Sequence, residues 1–295
     1  MIRETPRGAL DVEHLRELLQ GEDSPYRSRA LKIGSFSAAS NVTGVLAPVD
    51  EVTVLLHRCG ALAMWDYATA GPYEKIDVNP VCSGPAPRSS STSTTAVATA
   101  AAAAAAGEDA MELDSTSATE EKEKEKRVAA ARARYADRAF LYKDAVFLSP
   151  HKMLGGPGAP GVLVAKKRLF ANAVPTAPGG GTVFYVTDAG HRYLSNREER
   201  GEGGTPNIVG AVRAGLAFHL KDTIGHAAVE ARERAVAAAV MRRLCACERV
   251  VVLGARDTEA VPRLPIFSFL VRAPEVFVAA SADGASSGGF LISSP

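Results

Sequence analysis

The chain has 295 residues, in which 34 lysines and arginines oppose 33 aspartates and glutamates for a formal net charge of +1. That balance excludes a strongly basic nucleic-acid binder, and the length suffices for one large core or two ordinary ones. The cysteines, Cys59, Cys82, Cys245 and Cys247, form no CxxC pair; with no signal-peptide pattern and no membrane-length apolar run, the sequence reads as a soluble protein of the reducing cytoplasm.

Asp11 to Gln20 predicts a helix with Leu15, Leu18 and Leu19 on one side, Asp11 as its cap and Gly21 at its end. Ala30 to Phe36 reads as a strand leading into Ser37-Ala-Ala-Ser-Asn-Val-Thr-Gly44, a loop of small and hydrogen-bonding residues. Asn41 there is a turn residue or a side chain aimed at a ligand, and spacing alone favours the turn. Pro48 to His57 predicts a helix with Val49, Val52, Leu55 and Leu56 inward, closed at Gly60. Ala61 to Trp65 then forms a strand ending in Asp66. Strand, helix, strand makes a parallel crossover, and such sheets bind ligands at the carboxyl ends of their strands. Taken alone, Asp66 reads as a cap on the turn that follows it.

From Ser83 to about Arg138 the composition changes to Pro/Ser/Thr runs, polyalanine and alternating Glu/Lys. Too few large apolar residues occur there to build a core, so this block is expected to loop out or stay disordered, with a solvated helix possible over Glu120 to Arg138. Acids and bases alternate, which argues against a nucleic-acid site. The organisation expected is 1–82 and 139–225 as two parts of one domain, 83–138 as an insertion, and 226–295 as the beginning of a smaller one.

Ala145 to Leu148 and Val162 to Ala165 read as buried strands flanking Ser149-Pro-His151-Lys152 and a Gly/Pro loop. A lysine at such a strand end, its stem packed on apolar neighbours, can lose its proton and attack a carbonyl. The alternative is a surface lysine beside a turn. Further on, Gly201-Glu-Gly-Gly-Thr205-Pro-Asn207 opens an amphipathic run, Ile208 to Leu220. Bare backbone N–H groups, a hydroxyl and a helix start suit an anion, while Thr205 as N-cap and Pro206 as first helical residue is the structural reading. No Gly-Lys-Ser/Thr follows, so this is not a nucleotide loop of the Walker kind. His226 to Cys247 predicts a long helix, and Arg249 to Gly254 and Leu264 to Arg272 two strands.

An acid at one strand end, a lysine at another, hydroxyl and imidazole groups before that lysine, and a Gly-Thr helix start together suit pyridoxal phosphate. Its aldehyde needs an amine, its ring nitrogen a carboxylate, and its phosphate donors and a helix terminus. Ser35-Phe-Ser-Ala-Ala-Ser-Asn41-Val-Thr-Gly44, Trp65-Asp66-Tyr-Ala, Ser149-Pro-His151-Lys152 and Glu202-Gly-Gly-Thr205-Pro resemble, in the same order, the class V aminotransferase family, which contains cysteine desulfurases and selenocysteine lyases. The resemblance covers about residues 30–82 and 139–225. It implies a fold-type I α/β architecture, a mostly parallel sheet flanked by helices with the start of a smaller α+β C-terminal domain. It also implies pyridoxal phosphate bound as a Schiff base on Lys152, an amino-acid substrate, and a homodimer with composite sites. By the same resemblance Asp66 would pair with the pyridine nitrogen, and Asn41 would contact the phenolic oxygen or the substrate carboxylate. Ser149 and His151 would support the phosphate, His151 also fixing the lysine loop, and Thr205 would reach the phosphate of the neighbouring subunit's cofactor.

The sequence departs from the family in three places. The glutamine that desulfurases carry three residues after the Asp is Thr69 here. No Gly-Thr turn with a ring-stacking histidine precedes Asn41, and Cys245 and Cys247 fall too early to stand as sulfur acceptors. The expectation is therefore of a chain incomplete at both ends relative to the family. Two functions compete: a desulfurase-like lyase or transaminase, and a non-catalytic or fragmentary relative that keeps the fold without a complete cofactor site.

Overall fold

The computed structural model describes residues 1–80 and 137–272, together with the backbone of Phe290 and Leu291. Cys82 and nearly all of the low-complexity block, with the solvated helix expected in it, lie outside the described residues. So does most of the stretch after Arg272. The chain divides into two compact units, Met1–Val78 with Lys143–Pro295, and Asn79–Tyr142. In the second, the described residues include one 3-10 turn, Arg138–Phe140.

The first unit is built on a four-stranded sheet in the order β1-β2-β3-β4, namely Ile33–Ser37, Leu62–Asp66, Ala145–Leu148 and Val162–Ala165. β1 pairs parallel to β2, and β2 parallel to β3, while β4 runs antiparallel along β3. The crossover expected between the first two strands is present. Helix α1, Val12–Gln20, starts as predicted, with Asp11 Oδ1 accepting the His14 N–H at 2.9 Å, and ends at Gly21. Helix α2, Val49–Arg58, carries Asp50 and Glu51 in its first turn and His57 and Arg58 in its last, matching the helix dipole at both ends.

Helix α2 buries Val52, Leu55 and Leu56 against Trp65, Val146 and Leu148 of the sheet. Each fully buried aliphatic of this kind contributes roughly 1.5–3 kcal/mol. The approach is close because Gly34 on β1 has no side chain: a Cβ there would lie 2.5 Å from both methyl carbons of Leu56. Trp65 is fully buried, and its Nε1–H donates to Thr53 Oγ1 at 2.9 Å, while the Thr53 hydroxyl donates to the Val49 carbonyl at 2.6 Å. A buried polar pair is thus fully occupied inside an apolar core.

Two expectations change here. The strand Val162–Ala165 is not buried: Leu163 and Val164 are exposed, because β4 is the edge of its sheet. The run from Ile208 is not amphipathic in the usual sense either. Residues 183–193 form a hairpin, β5 Val183–Thr187 and β6 Gly190–Tyr193, followed by a short helix, α3, Arg197–Gly201. Helix α4 then runs Ile208–Ile224 and buries only the small residues Gly210, Ala214 and Ala217, with Ile208, Val209, Val212 and Leu216 turned outward. Small side chains let the helix axis sit close to what it packs on, which leaves the large ones no room inside.

Helix α5, His226–Ala246, packs on β7, Val250–Val252, which pairs antiparallel with β8, Phe269–Arg272; β9, Phe290–Leu291, completes this three-stranded sheet. Arg263 links this region to the loop after β1. It is 5% exposed and donates to the carbonyls of Ala255 at 2.7 Å and Thr43 at 2.5 Å, with Phe267 stacked beneath its guanidinium. Burial pulls its pKa down, and these carbonyls, with the ring, replace part of the lost hydration.

Candidate functional site

The parallel register decides what meets at the carboxyl end of the sheet. Ser37 stands opposite Asp66, and Asp66 opposite Phe147. The chain therefore leaves β1 toward Asn41, β2 at Asp66 and β3 toward Ser149 on the same side. Backbone bonds stitch these exits together: Ala38 N–H donates to the Asp66 carbonyl at 2.8 Å, and Tyr67 N–H to the Phe147 carbonyl at 2.9 Å. Asp66 is exposed, and its Oδ1 accepts the Ala68 N–H at 2.6 Å. The turn-capping role read from sequence is real, and the carboxylate still faces outward.

After β3 the chain makes one 3-10 turn, Pro150–Lys152, closed by Lys152 N–H to the Ser149 carbonyl at 3.0 Å and Met153 N–H to the Pro150 carbonyl at 2.9 Å. Pro150 and Met153 are buried and anchor this turn, while His151 and Lys152 are exposed and Ser149 half-buried. The expectation of a lysine stem packed on apolar neighbours is not met, because the apolar anchors flank Lys152 and leave the amine outside. Asn41 is an exposed turn residue whose loop is pinned by Ser40 Oγ, which accepts the N–H groups of Val42 at 3.2 Å and Thr43 at 3.1 Å. It lines a cavity of about 300 Å³ together with Ser37, Ser40 and Arg3.

Thr205 stands apart, on the segment leading into α4. That helix is capped by Asn207, whose Oδ1 accepts the Gly210 N–H at 2.9 Å, and not by Thr205. Asparagine just before the first helical residue reaches forward into the first turn, which leaves the exposed Thr205 hydroxyl outside the cap. Gly204 N–H donates to the Gly180 carbonyl at 2.8 Å, and Thr182, fully buried, ties its hydroxyl to Gly179. These bonds hold the two glycine-rich loops side by side. Helix α4 in turn packs against the Pro150–Lys152 turn.

Sequence reasoning passed over Asp144, which is fully buried just before β3. It accepts from Ala63 N–H at 2.9 Å, lies 2.9 Å from His57 Nε2 and pairs with Arg168. A single carboxylate ahead of an apolar run carries no signal of partners so distant in the chain. Arg213 and Lys221 were passed over as well. They are the basic residues of the otherwise mostly apolar α4, and that spacing was a usable signal.

A family model described as aminotransferase class-V matches residues 2–81 and 128–276. The chain belongs to the class-V aminotransferase family. The match passes over residues 82–127, within the low-complexity block. Among relatives, the "Probable cysteine desulfurase 2" of Mycobacterium leprae is 26% identical over 237 residues, covering 80% of this chain and 42% of its own. A segment of 96 residues is 40% identical to a cysteine desulfurase-type protein of Pyrococcus abyssi, covering 32% of this chain and 23% of that one.

Among solved structures, a cysteine desulfurase from Thermococcus onnurineus aligns with a TM-score of 0.59 at 22% identity, over 95% of this chain and 52% of that one. One from Escherichia coli aligns with a TM-score of 0.56 at 19% identity, over 86% of this chain and 46% of that one. These likenesses establish a cysteine-desulfurase fold, a mixed and mostly parallel sheet with helices. The chain spans about half the length of the relatives it matches. The family uses pyridoxal phosphate, and no helix among the described residues is long and apolar enough to cross a membrane.

Proposed function

We propose that this chain carries part of a pyridoxal-phosphate site and acts on an amino acid, in the manner of a cysteine desulfurase. The observation that supports this most is the placement of Asp66 and the Ser149–Lys152 turn at the same end of adjacent parallel strands, with Asp66 in register with Phe147. The donor chemistry fits the group: a carboxylate for a ring nitrogen, an accessible amine for an aldehyde, and a hydroxyl and imidazole beside that amine. When bound, the cofactor supplies an electron sink for a carbanion at the substrate α-carbon.

The chain's own residues do the rest. Lys152 would hold the group through its side-chain amine and would also be the base for the substrate α-proton. Asp66 keeps the ring nitrogen protonated by placing a negative charge beside it. Ser149 and His151 donate to the phosphate, Asn41 orients the phenolic oxygen or substrate carboxylate, and Thr205 serves the site of a second copy in a homodimer. The likeness to proteins described as probable cysteine desulfurases favours sulfur release from cysteine, while Thr69 stands where desulfurases have glutamine.

The test is reduction with borohydride after incubation with pyridoxal phosphate, followed by peptide mass spectrometry. A pyridoxyl group on Lys152, lost in Lys152→Ala, is the expected result. Absence of label in the parent, or equal total labelling in the variant, would sink the proposal and favour a non-catalytic relative that keeps only the fold. Sedimentation of the labelled protein gives its assembly state, and a monomer would remove the composite site.

A further inference from the structure

Helix α4 makes two charged contacts of one kind at two places. Near its start, Arg213 Nη1–H donates to the Pro157 carbonyl at 2.8 Å, in the loop that follows Lys152. Near its end, Lys221 Nζ donates to the carbonyls of Gly71 at 2.5 Å and Glu74 at 2.6 Å, in the loop that follows Asp66. Eight residues of helix separate the two, a rise of about 12 Å, and the turn between them leaves both on one side. The buried Ala214 and Ala217 lie between, on the packed side of the helix.

The loops themselves are shaped for these contacts. Gly158 has φ +84°, and a Cβ there would lie 2.4 Å from Arg213 Nη1, so only glycine lets the guanidinium close on this backbone. At Gly155 an added Cβ would find room, 3.7 Å from Leu220 of the same helix, and it is the φ of +76° that favours glycine there. In the other loop, the Gly71, Tyr73 and Glu74 N–H groups are spent within their own turn on Tyr67 and Ala70 carbonyls. The Gly71 and Glu74 carbonyls are left to point away, and Lys221 takes both. Burial lowers the Lys221 pKa and Glu74 raises it, so the two carbonyls and a nearby carboxylate together replace hydration lost by the ammonium.

We propose that Arg213 and Lys221 are positioning residues, through which one helix holds the Lys152 loop and the Asp66 loop at a set separation. Neither touches the reacting groups. Strand pairing fixes Asp66 and Phe147, and buried Tyr67, Ala70, Pro150 and Met153 hold the first residues beyond them; α4 adds one tether to each loop further along the chain. The role toward the cofactor rests on the function proposed above; the tethering does not.

The experiment compares the parent full chain with Arg213→Gln, Arg213→Lys, Lys221→Met and Lys221→Arg by amide hydrogen exchange without cofactor, and by absorbance titration with pyridoxal phosphate. Arg213 is exposed and Lys221 only half-buried, so the overall fold is expected to survive. Loss of a charge-assisted tether should speed exchange about tenfold or more in its own loop. The amides to watch are Gly156 and Ala159 for Arg213→Gln, and Gly71, Tyr73 and Glu74 for Lys221→Met, with the core strands unchanged. The conservative variants keep a charged donor and should restore most of the protection. Retention of pyridoxal phosphate should weaken about tenfold in the two truncating variants and recover in the conservative ones.

Unchanged exchange in both loops, or faster exchange spread evenly over the chain, would overturn the tethering. Local exchange that rises as expected while cofactor affinity stays the same would overturn the positioning role. A parent that takes up no cofactor but shows the local exchange pattern keeps the tethers and removes the proposed function.

Discussion

Asp144 and His57 meet at the amino-terminal edge of the sheet, Nε2 to Oδ2 at 2.9 Å, with 0% and 4% of their side chains exposed. The same Oδ2 accepts the Ala63 N–H at 2.9 Å, and Oδ1 pairs with Arg168. One buried carboxylate thus joins α2, β2 and β3 at the end opposite the candidate site. Asp144→Ala leaves a buried N–H and a buried imidazole without this acceptor, and should cost about 3–5 kcal/mol. Asp144→Asn keeps an acceptor oxygen and should cost less. Urea unfolding at unchanged slope reads both, and a loss near zero for the alanine variant would mean the network contributes nothing net.

Trp65 is the sole tryptophan of the sequence, and its indole N–H has Thr53 Oγ1 as acceptor. Thr53→Val preserves volume but removes that acceptor from a fully buried site, which should cost about 1–3 kcal/mol. Because Trp65 alone supplies the indole signal, fluorescence follows the transition directly. A variant as stable as the parent would show that the core supplies another acceptor.

Asp66→Asn tests the carboxylate at the strand end. The Asn side-chain oxygen can still close the turn onto Ala68 N–H, so stability should change by less than about 0.5 kcal/mol. The negative charge beside the cofactor ring is lost, and the proposed function predicts weaker pyridoxal phosphate retention with pyridoxyl labelling still confined to Lys152. Labelling that moves to another lysine would contradict the placement of the site.

Glu74 gives a pH dependence with a definite sign. Burial raises its pKa most, Glu230 raises it further, and His226, Lys221 and Arg234 pull it back down. The folded state therefore holds this proton to higher pH than the unfolded one. The associated stabilisation is complete below the ordinary value of 4.5 and is lost as pH rises through the folded value. Glu74→Gln removes that dependence, so its melting temperature relative to the parent should climb between about pH 4 and pH 7. A constant offset across this range would show that Glu74 titrates alike folded and unfolded.

Local chemistry made much of this protein legible in its sequence. Asp11 and Gly21 bound the first helix because a short carboxylate can cap a helix start and a glycine just past the last apolar position suits its end. The apolar spacing of residues 49–56 and the run from Ala61 to Asp66 announced a helix and a strand, and their order announced parallel pairing. The motifs around Asn41, Asp66, Lys152 and Thr205 pointed to the family that the match over residues 2–81 and 128–276 shows. These signals live within a few residues of one another, so no partner need be known to read them.

What sequence did not decide depends on groups far apart in the chain. The exposure of Lys152 follows from which neighbours are buried, Pro150 and Met153, and periodicity cannot tell that from a buried lysine. Val162–Ala165 looked like a core strand because its composition is apolar, yet exposure is set by its place at the sheet edge. The outward-facing large residues of α4, and its tethers through Arg213 and Lys221, arise from close packing on small side chains and from carbonyls as distant as Gly71. Asp144 gains its role only when His57, Ala63 and Arg168 converge on it. Sequence alone determined the local elements and the residue types available at the strand ends. Tertiary structure alone decided which of them are buried, which are paired and which lie open to a ligand, because burial and long-range hydrogen bonding are properties of the assembled chain.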